Sequence, residues 1–270
     1  MNLKKRHLLH LLLLPALALV LLVPRAGLAQ YGNEGDAYIS ESGSVYYAKH
    51  TAIYKELVKL QTTLPEEQFL RHVSARVTTL KTEPDIAAVI AFLWQNSYDK
   101  KPVEKLNTNY FLLLSDAYVE YIPHVRHKDD LAEVYRKALK SLSVFELLSM
   151  ADGSRCADSS GWSIFKKQLL VPRIKALKQA YTTLPPKEFK LLLQTAILFE
   201  ETVLGRPANT DICNLGTKPK GKDMFVDTYT WYSKRQQVHT AIKKFWFERY
   251  KGITGIDLDA LDRPINQKDE

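Results

Sequence analysis

Between Ser44 and Lys251 the apolar residues recur at helical spacing, and no segment sustains an alternation of period two. A strand buried on one face needs that alternation, whereas an amphipathic helix needs apolar side chains at i, i+3, i+4 and i+7. The helical pattern comes in run after run. Tyr47, Thr51, Tyr54 and Val58 begin it, and Ile53, Leu57 and Leu60 widen the stripe. A second helix over about 64–81 turns Phe69, Val73, Val77 and Leu80 inward. Pro84 opens a third, to about 98, and Pro102 a fourth, to about 122. The fourth carries two apolar stripes, so it belongs at the centre. Four more are predicted over about 130–150, 162–181, 185–204 and 224–251, the fifth starting at a capping box formed by Asp130 and Glu133. The expected fold is all-α, with about eight helices in a single multi-helical domain over 44–251. Helical hairpins at 44–81 and 162–204 build it, with a flexible arm at 30–43 and a mobile tail at 252–270.

Two short segments repeat. "QTTLPEEQF" at 61–69 and "YTTLPPKEF" at 181–189 share Thr-Thr-Leu-Pro and a Phe four residues on. Pro is tolerated in the first helical turn because its missing N–H would be unpaired there. Thr63 with Glu66 spells a capping box, which Pro186 interrupts in the second copy. The repetition reads as two helix junctions of one chemistry rather than as an active site.

The first 29 residues have the form of a cleavable export signal. Lys4, Lys5 and Arg6 precede an apolar run from Leu8 to Val23, and Ala26-Gly27-Leu28-Ala29 places small residues for a cut before Gln30. The expected location is periplasmic or secreted, with no transmembrane segment once the signal is gone. The formal charge of +8 falls with it, since Lys4, Lys5, Arg6 and Arg25 lie in that segment, leaving 34 basic against 30 acidic residues. So small an excess on an exported chain points away from nucleic acid and toward another envelope protein or an anionic envelope surface.

Cys156 and Cys213 are the two cysteines of the chain. In an oxidising compartment an isolated pair is expected to be a disulfide, and a hairpin between them would bring the two ends together. Closing a loop with a separation of 57 residues stabilises by about 4 kcal/mol in the chain-entropy view.

Three further groups are candidates for chemistry. Asp116, Glu120 and His124 are spaced i, i+4, i+8, which would stack two carboxylates and an imidazole on one helix face as metal ligands, although Pro123 should end the helix first. Glu200 continues the Phe189, Leu193, Ala196 stripe, so its carboxyl is expected to be partly buried with a raised pKa, the state a polysaccharide-cleaving general acid requires. The last helix interleaves aromatic and basic residues. If Phe225, Tyr232, Val238, Ile242 and Trp246 fill the core, then Trp231, Lys234, Arg235, Phe245 and Phe247 form a partner surface. No phosphate-binding loop, zinc-finger spacing or nucleophile motif occurs, and no cofactor is implied. The reading the residues favour is an exported, non-enzymatic binding or scaffolding protein of a cell-envelope process. The alternative is a helical hydrolase or lyase on envelope polysaccharide, with Glu200 as its acid.

Overall fold

The computed structural model describes residues 45–98, 102–217 and 224–262. The expected export signal, the arm at 30–43 and the end of the tail lie outside these residues. The described chain is all-helical, and its backbone breaks more often than the periodicity predicts. The first expected helix is two, α1 (Val45–His50) and α2 (Ala52–Thr63). Thr51 separates them: its backbone is extended, and its hydroxyl accepts from the Tyr54 N–H at 3.1 Å. Helices α3 (Glu66–Thr79) and α4 (Glu83–Ser97) follow, the latter with Pro84 in its first turn. The expected fourth helix starts late. A 3-10 turn at Val103–Lys105 leads to Asn107, whose Oδ1 accepts from the Asn109 N–H, and α5 runs Asn109–Tyr121.

Helix α6 spans Lys128–Arg155. It starts at His127 without a side-chain cap, so the expected capping box at Asp130 is not used, and it continues to Arg155, past the end expected near 150 and into the polar segment before the next expected helix. The next expected helix is broken into α7 (Ser160–Phe165), a π turn (Lys166–Leu170), α8 (Val171–Ala176) and α9 (Lys178–Thr183). Pro172 explains the π turn: it has no N–H to donate and its ring crowds the carbonyl four residues back, so the ladder shifts register. Helices α10 (Pro186–Thr202), α11 (Thr210–Asn214) and α12 (Thr228–Thr254) complete the set.

Helices α5 and α6 form the most extensive pair. Helix α4 flanks α5, while α10 and α12 lie on α6. Helix α10 therefore rests mainly on α6, rather than closing a simple hairpin with 162–181. The core is continuous from Leu57, Phe69 and Phe92 to Phe145, Phe189 and Trp246, all buried. Phe92 meets Tyr54 and Phe69 edge to face, at 5.8 and 5.7 Å between centroids, an arrangement worth about 0.5–1.5 kcal/mol beyond area burial. Gly255, at φ 77°, ends α12, and Leu258 beyond it is fully buried. The chain thus folds back where a mobile tail was expected to begin.

The two Thr-Thr-Leu-Pro segments make the same turn. Leu64 and Leu184 are extended C-caps, and Pro65 and Pro185 are N-caps with nearly equal dihedrals. The N–H groups of Phe69 and Phe189 close the next turn on Pro65 and Pro185, and both rings are buried. The Thr63 and Thr183 hydroxyls donate backward to the carbonyls of Lys59 and Gln179. The expected Thr63–Glu66 box is therefore absent, because the Pro has already ended one helix and begun the next.

Gly161 shows how tightly α11 is seated. A Cβ there would lie 2.1 Å from the Ile212 carbonyl oxygen and 2.9 Å from the Gly216 nitrogen. Gly161→Ala must displace backbone rather than a side-chain tip, and should cost roughly 2–4 kcal/mol as an overpacking change at the upper end of its range. Urea unfolding measures this; a midpoint within error of wild type would contradict the close approach.

Candidate functional site

Three of the charged residues singled out in the sequence, Asp116, Glu200 and Arg235, are spent on internal pairs. Glu200 is buried, and its carboxylate receives Arg235 through Nε and Nη2, the latter at 2.6 Å, and His239 Nε2 at 2.9 Å. Burial alone would raise its pKa, but the bonds from Arg235 and His239 outweigh it and hold the carboxyl below the ordinary range. That corrects the expectation of a raised value. A carboxylate kept ionised in this way is the reverse of a poised general acid.

Arg235 is buried with Glu200 rather than standing on the surface as expected. Trp231 is buried as well. Its indole N–H donates to the Ala151 carbonyl at 3.3 Å, and the Arg155 guanidinium stands 4.0 Å from its ring. Phe247 is buried, and Phe245 is half-buried beneath Lys166 at 3.5 Å and Arg249 at 4.4 Å. Of the five expected surface residues, Lys234 remains half-exposed. The aromatics that α12 does expose are Tyr229, at 86 %, and Tyr232, at 53 %.

Asp116 is bound by Arg173 through two bonds of 2.7 and 2.6 Å, though burial still pushes its carboxyl above its ordinary range. Glu120 lies on α5 and His124 in the 3-10 turn after it, around Pro123. Among the described residues, no three His, Cys, Asp or Glu side chains gather to hold a metal.

Two more buried pairs were not foreseen. Glu146, fully buried on α6, receives Arg249 and the Trp246 indole N–H, the latter at 2.7 Å, and Arg249 also reaches the Tyr181 hydroxyl. Asp152, also fully buried, receives Arg206 Nη1 at 2.8 Å and the Asn209 N–H at 3.0 Å. Arg206 further donates to the Leu148 carbonyl and to Thr108.

That second pair builds a cleft. Arg206 and Asn209 belong to the segment between α10 and α11, and their bonds to Asp152 pin it to the end of α6. The Cys156–Cys213 disulfide holds its far side, and Thr217 bonds Asp158 beyond that. So fixed, residues 207–211 face the start of α3 and the 104–113 segment across a concavity of about 660 Å³. Leu70, Leu106, Leu112, Leu113 and Leu169 supply its apolar lining. Asn107, Asn109, Asn209 and Thr210 supply hydrogen-bonding groups, and Glu66, Glu67, Glu104 and Asp211 line it with carboxylates. Arg71, Lys105 and Arg173 also line it. Arg71 bonds Glu67 at 3.2 Å, and Arg173 is held by Asp116. Sequence reasoning missed this site because its walls are far apart in the chain. The available signal was the amide density of "KLNTNYF" at 105–111 and again at Asn209, near Pro102 and Gly205.

The disulfide is formed as expected, but it joins the C-cap of α6 to the last turn of α11, not the two ends of a hairpin. Beside it, the backbone of Arg155 and Ala157 pairs with Val226 and Met224, with Cys156 and Phe225 as an isolated bridge. No helix among the described residues is long and apolar enough to cross a membrane. No family model, no curated protein and no solved structure matches the chain at a significant level.

Proposed function

We propose that this is an exported, non-enzymatic binding or scaffolding protein of the cell envelope, and that its ligand site is the cleft between α3, the 104–113 segment and residues 207–211. The observation that carries the reading is the fixing of the 207–211 wall. A fully buried ion pair, on segments that the disulfide also joins, holds a surface loop against a polar concavity, which is preorganisation of the kind that lowers the cost of binding. The formed disulfide also favours an oxidising compartment. The alternative, polysaccharide cleavage by Glu200, is weakened by the ionised state in which Arg235 and His239 keep that carboxyl.

Photo-crosslinking tests the site. p-Benzoylphenylalanine at Ser74 or Ala208, in the cleft lining, should give a discrete adduct in intact cells, and Lys175, exposed outside it, should give none. Placement at Tyr229 tests the exposed aromatic edge of α12. Adducts from Tyr229 alone would move the site there, and equal adducts from all positions would remove the cleft from consideration.

A further inference from the structure

Beyond the cleft, we propose a second docking surface at the start of α12, where the Arg155 guanidinium takes a glutamate or aspartate side chain of a partner protein whose apolar residues lie on Tyr229 and Tyr232. None of these residues lines the cleft, so the surface does not depend on that reading.

The charges inside this end of the molecule do not balance. Three guanidinium groups, Arg155, Arg206 and Arg235, share two buried carboxylates, Asp152 and Glu200. Arg206 takes Asp152 and Arg235 takes Glu200, which also receives His239. Arg155 is half-buried, and among the described residues its guanidinium has no hydrogen bond or ion pair, only the ring of Trp231 at 4.0 Å. Asp152 and Glu200 attract it from a distance, yet burial outweighs them and holds its pKa below the ordinary value. A carboxylate arriving from outside would offset that loss of solvation.

The position alone has an ordinary explanation. Arg155 stands in the last turn of α6, where the dipole favours a cation, and the face of a Trp ring attracts one. Neither effect uses the edge of the guanidinium. Stacking spends the flat face, and the five N–H donors lie around the rim. A carboxylate fills such an edge with two parallel bonds.

The frame around that edge is fixed and aromatic. The Trp231 indole N–H is bonded to the Ala151 carbonyl. The Val226 N–H donates to the Arg155 carbonyl and the Ala157 N–H to the Met224 carbonyl, both at 2.8 Å, which ties the start of α12 to the end of α6. The Tyr232 ring lies 5.0 Å from that of Trp231, and Tyr229 precedes Tyr232 by one turn, both exposed. Tyr, Trp and Arg together are the residues that dominate binding energy at protein interfaces, which favours a protein partner over a free anion. The nearby outer carboxylates are otherwise engaged. Asp227 caps α12 through the Thr230 N–H at 2.9 Å, and Glu201 adds to the field on Arg235.

The test uses the mature full-length protein and three probes: the blocked tetrapeptide Ac-Leu-Glu-Leu-Glu-NH2, its glutaminyl counterpart Ac-Leu-Gln-Leu-Gln-NH2, and inorganic phosphate. Calorimetry gives affinity, and the NMR signals of the Arg155 Nε–H and the Trp231 indole N–H give location. The glutamyl peptide should bind roughly fivefold or more tighter than the glutaminyl one and shift both signals. R155Q should abolish that preference. Y229S, at an exposed position, should fold as wild type, keep the preference and weaken both peptides roughly threefold. Equal affinity for the two peptides, a preference that survives R155Q, or affinities unchanged in Y229S overturns the proposal. Phosphate that shifts both signals as strongly as the glutamyl peptide overturns the protein partner in favour of a simple anion site. Silence from all three probes overturns it too, and the crosslinks at Ser74 and Ala208 decide separately whether the cleft binds anything.

Discussion

Arg235→Met should destabilise the protein by roughly 3–5 kcal/mol, because it strands the Glu200 carboxylate in the core with His239 as its remaining partner. The double variant Glu200→Leu/Arg235→Met should recover most of that loss. Replacing both charges with apolar groups of similar size removes the desolvation penalty along with the bond. The pair also has a pH signature. Glu200 is depressed below its ordinary value, so its contribution is complete above the unfolded pKa, near 4.3, and disappears as pH falls through the lower folded value. Wild-type stability should therefore decline in acid, and the double variant should decline less steeply. Urea titrations between pH 3 and 7 measure both effects. A single variant within 1 kcal/mol of wild type would show that Glu200 reaches water and that the pair is not part of the core.

Arg235 also shows where the sequence was legible and where it was not. Helix α4 could be read directly, as could α5 beyond its late start, since apolar side chains cover nearly their whole circumference and Pro84 marks the start of α4. In α12 the buried stripe is Trp231, Arg235, Val238, Ile242 and Trp246, with steps of four, three, four and four residues. A reading that counts Arg as polar skips it and runs the stripe through Phe225 and Tyr232, which turns the amino-terminal half of the helix by one position. The guanidinium is buried only because Glu200, 35 residues earlier, neutralises it. The same blindness ended α6 too soon. Phe145, Glu146, Ser149, Asp152 and Cys156 continue one face, but Asp152, Gly153 and Ser154 are poor helix formers and read as loop. Once that segment is taken for a loop, neither Asp152 nor Arg206 can be placed inside, and the cleft they support cannot be seen. Local propensity carried the sequence reading. The paired charges that override it are tertiary.

Removing the disulfide as Cys156→Ser/Cys213→Ser should lower global stability by about 4 kcal/mol, which for a domain of this size is a fall in Tm of roughly 8–16 °C. The native cleft wall should nevertheless stay in place. Arg206 and Asn209 still bond Asp152, Ile212 is still fully buried, and Thr217 still bonds Asp158. The crosslink therefore acts mainly by restricting the unfolded chain, and the folded wall has other anchors on the same two segments. Hydrogen exchange separates the two effects. In the double-serine protein the Ile212 amide should still exchange only through global unfolding, at the reduced global free energy. Fast local exchange across 207–213 with an unchanged Tm would reverse the assignment and make the disulfide a strut of the folded wall. Both sulfurs are buried, so the oxidised protein should also resist mild reductant until it unfolds. Release of two thiols from the folded protein under such conditions would mean that the end of α6 opens by itself, and the wall could not then be the preformed side of a binding site.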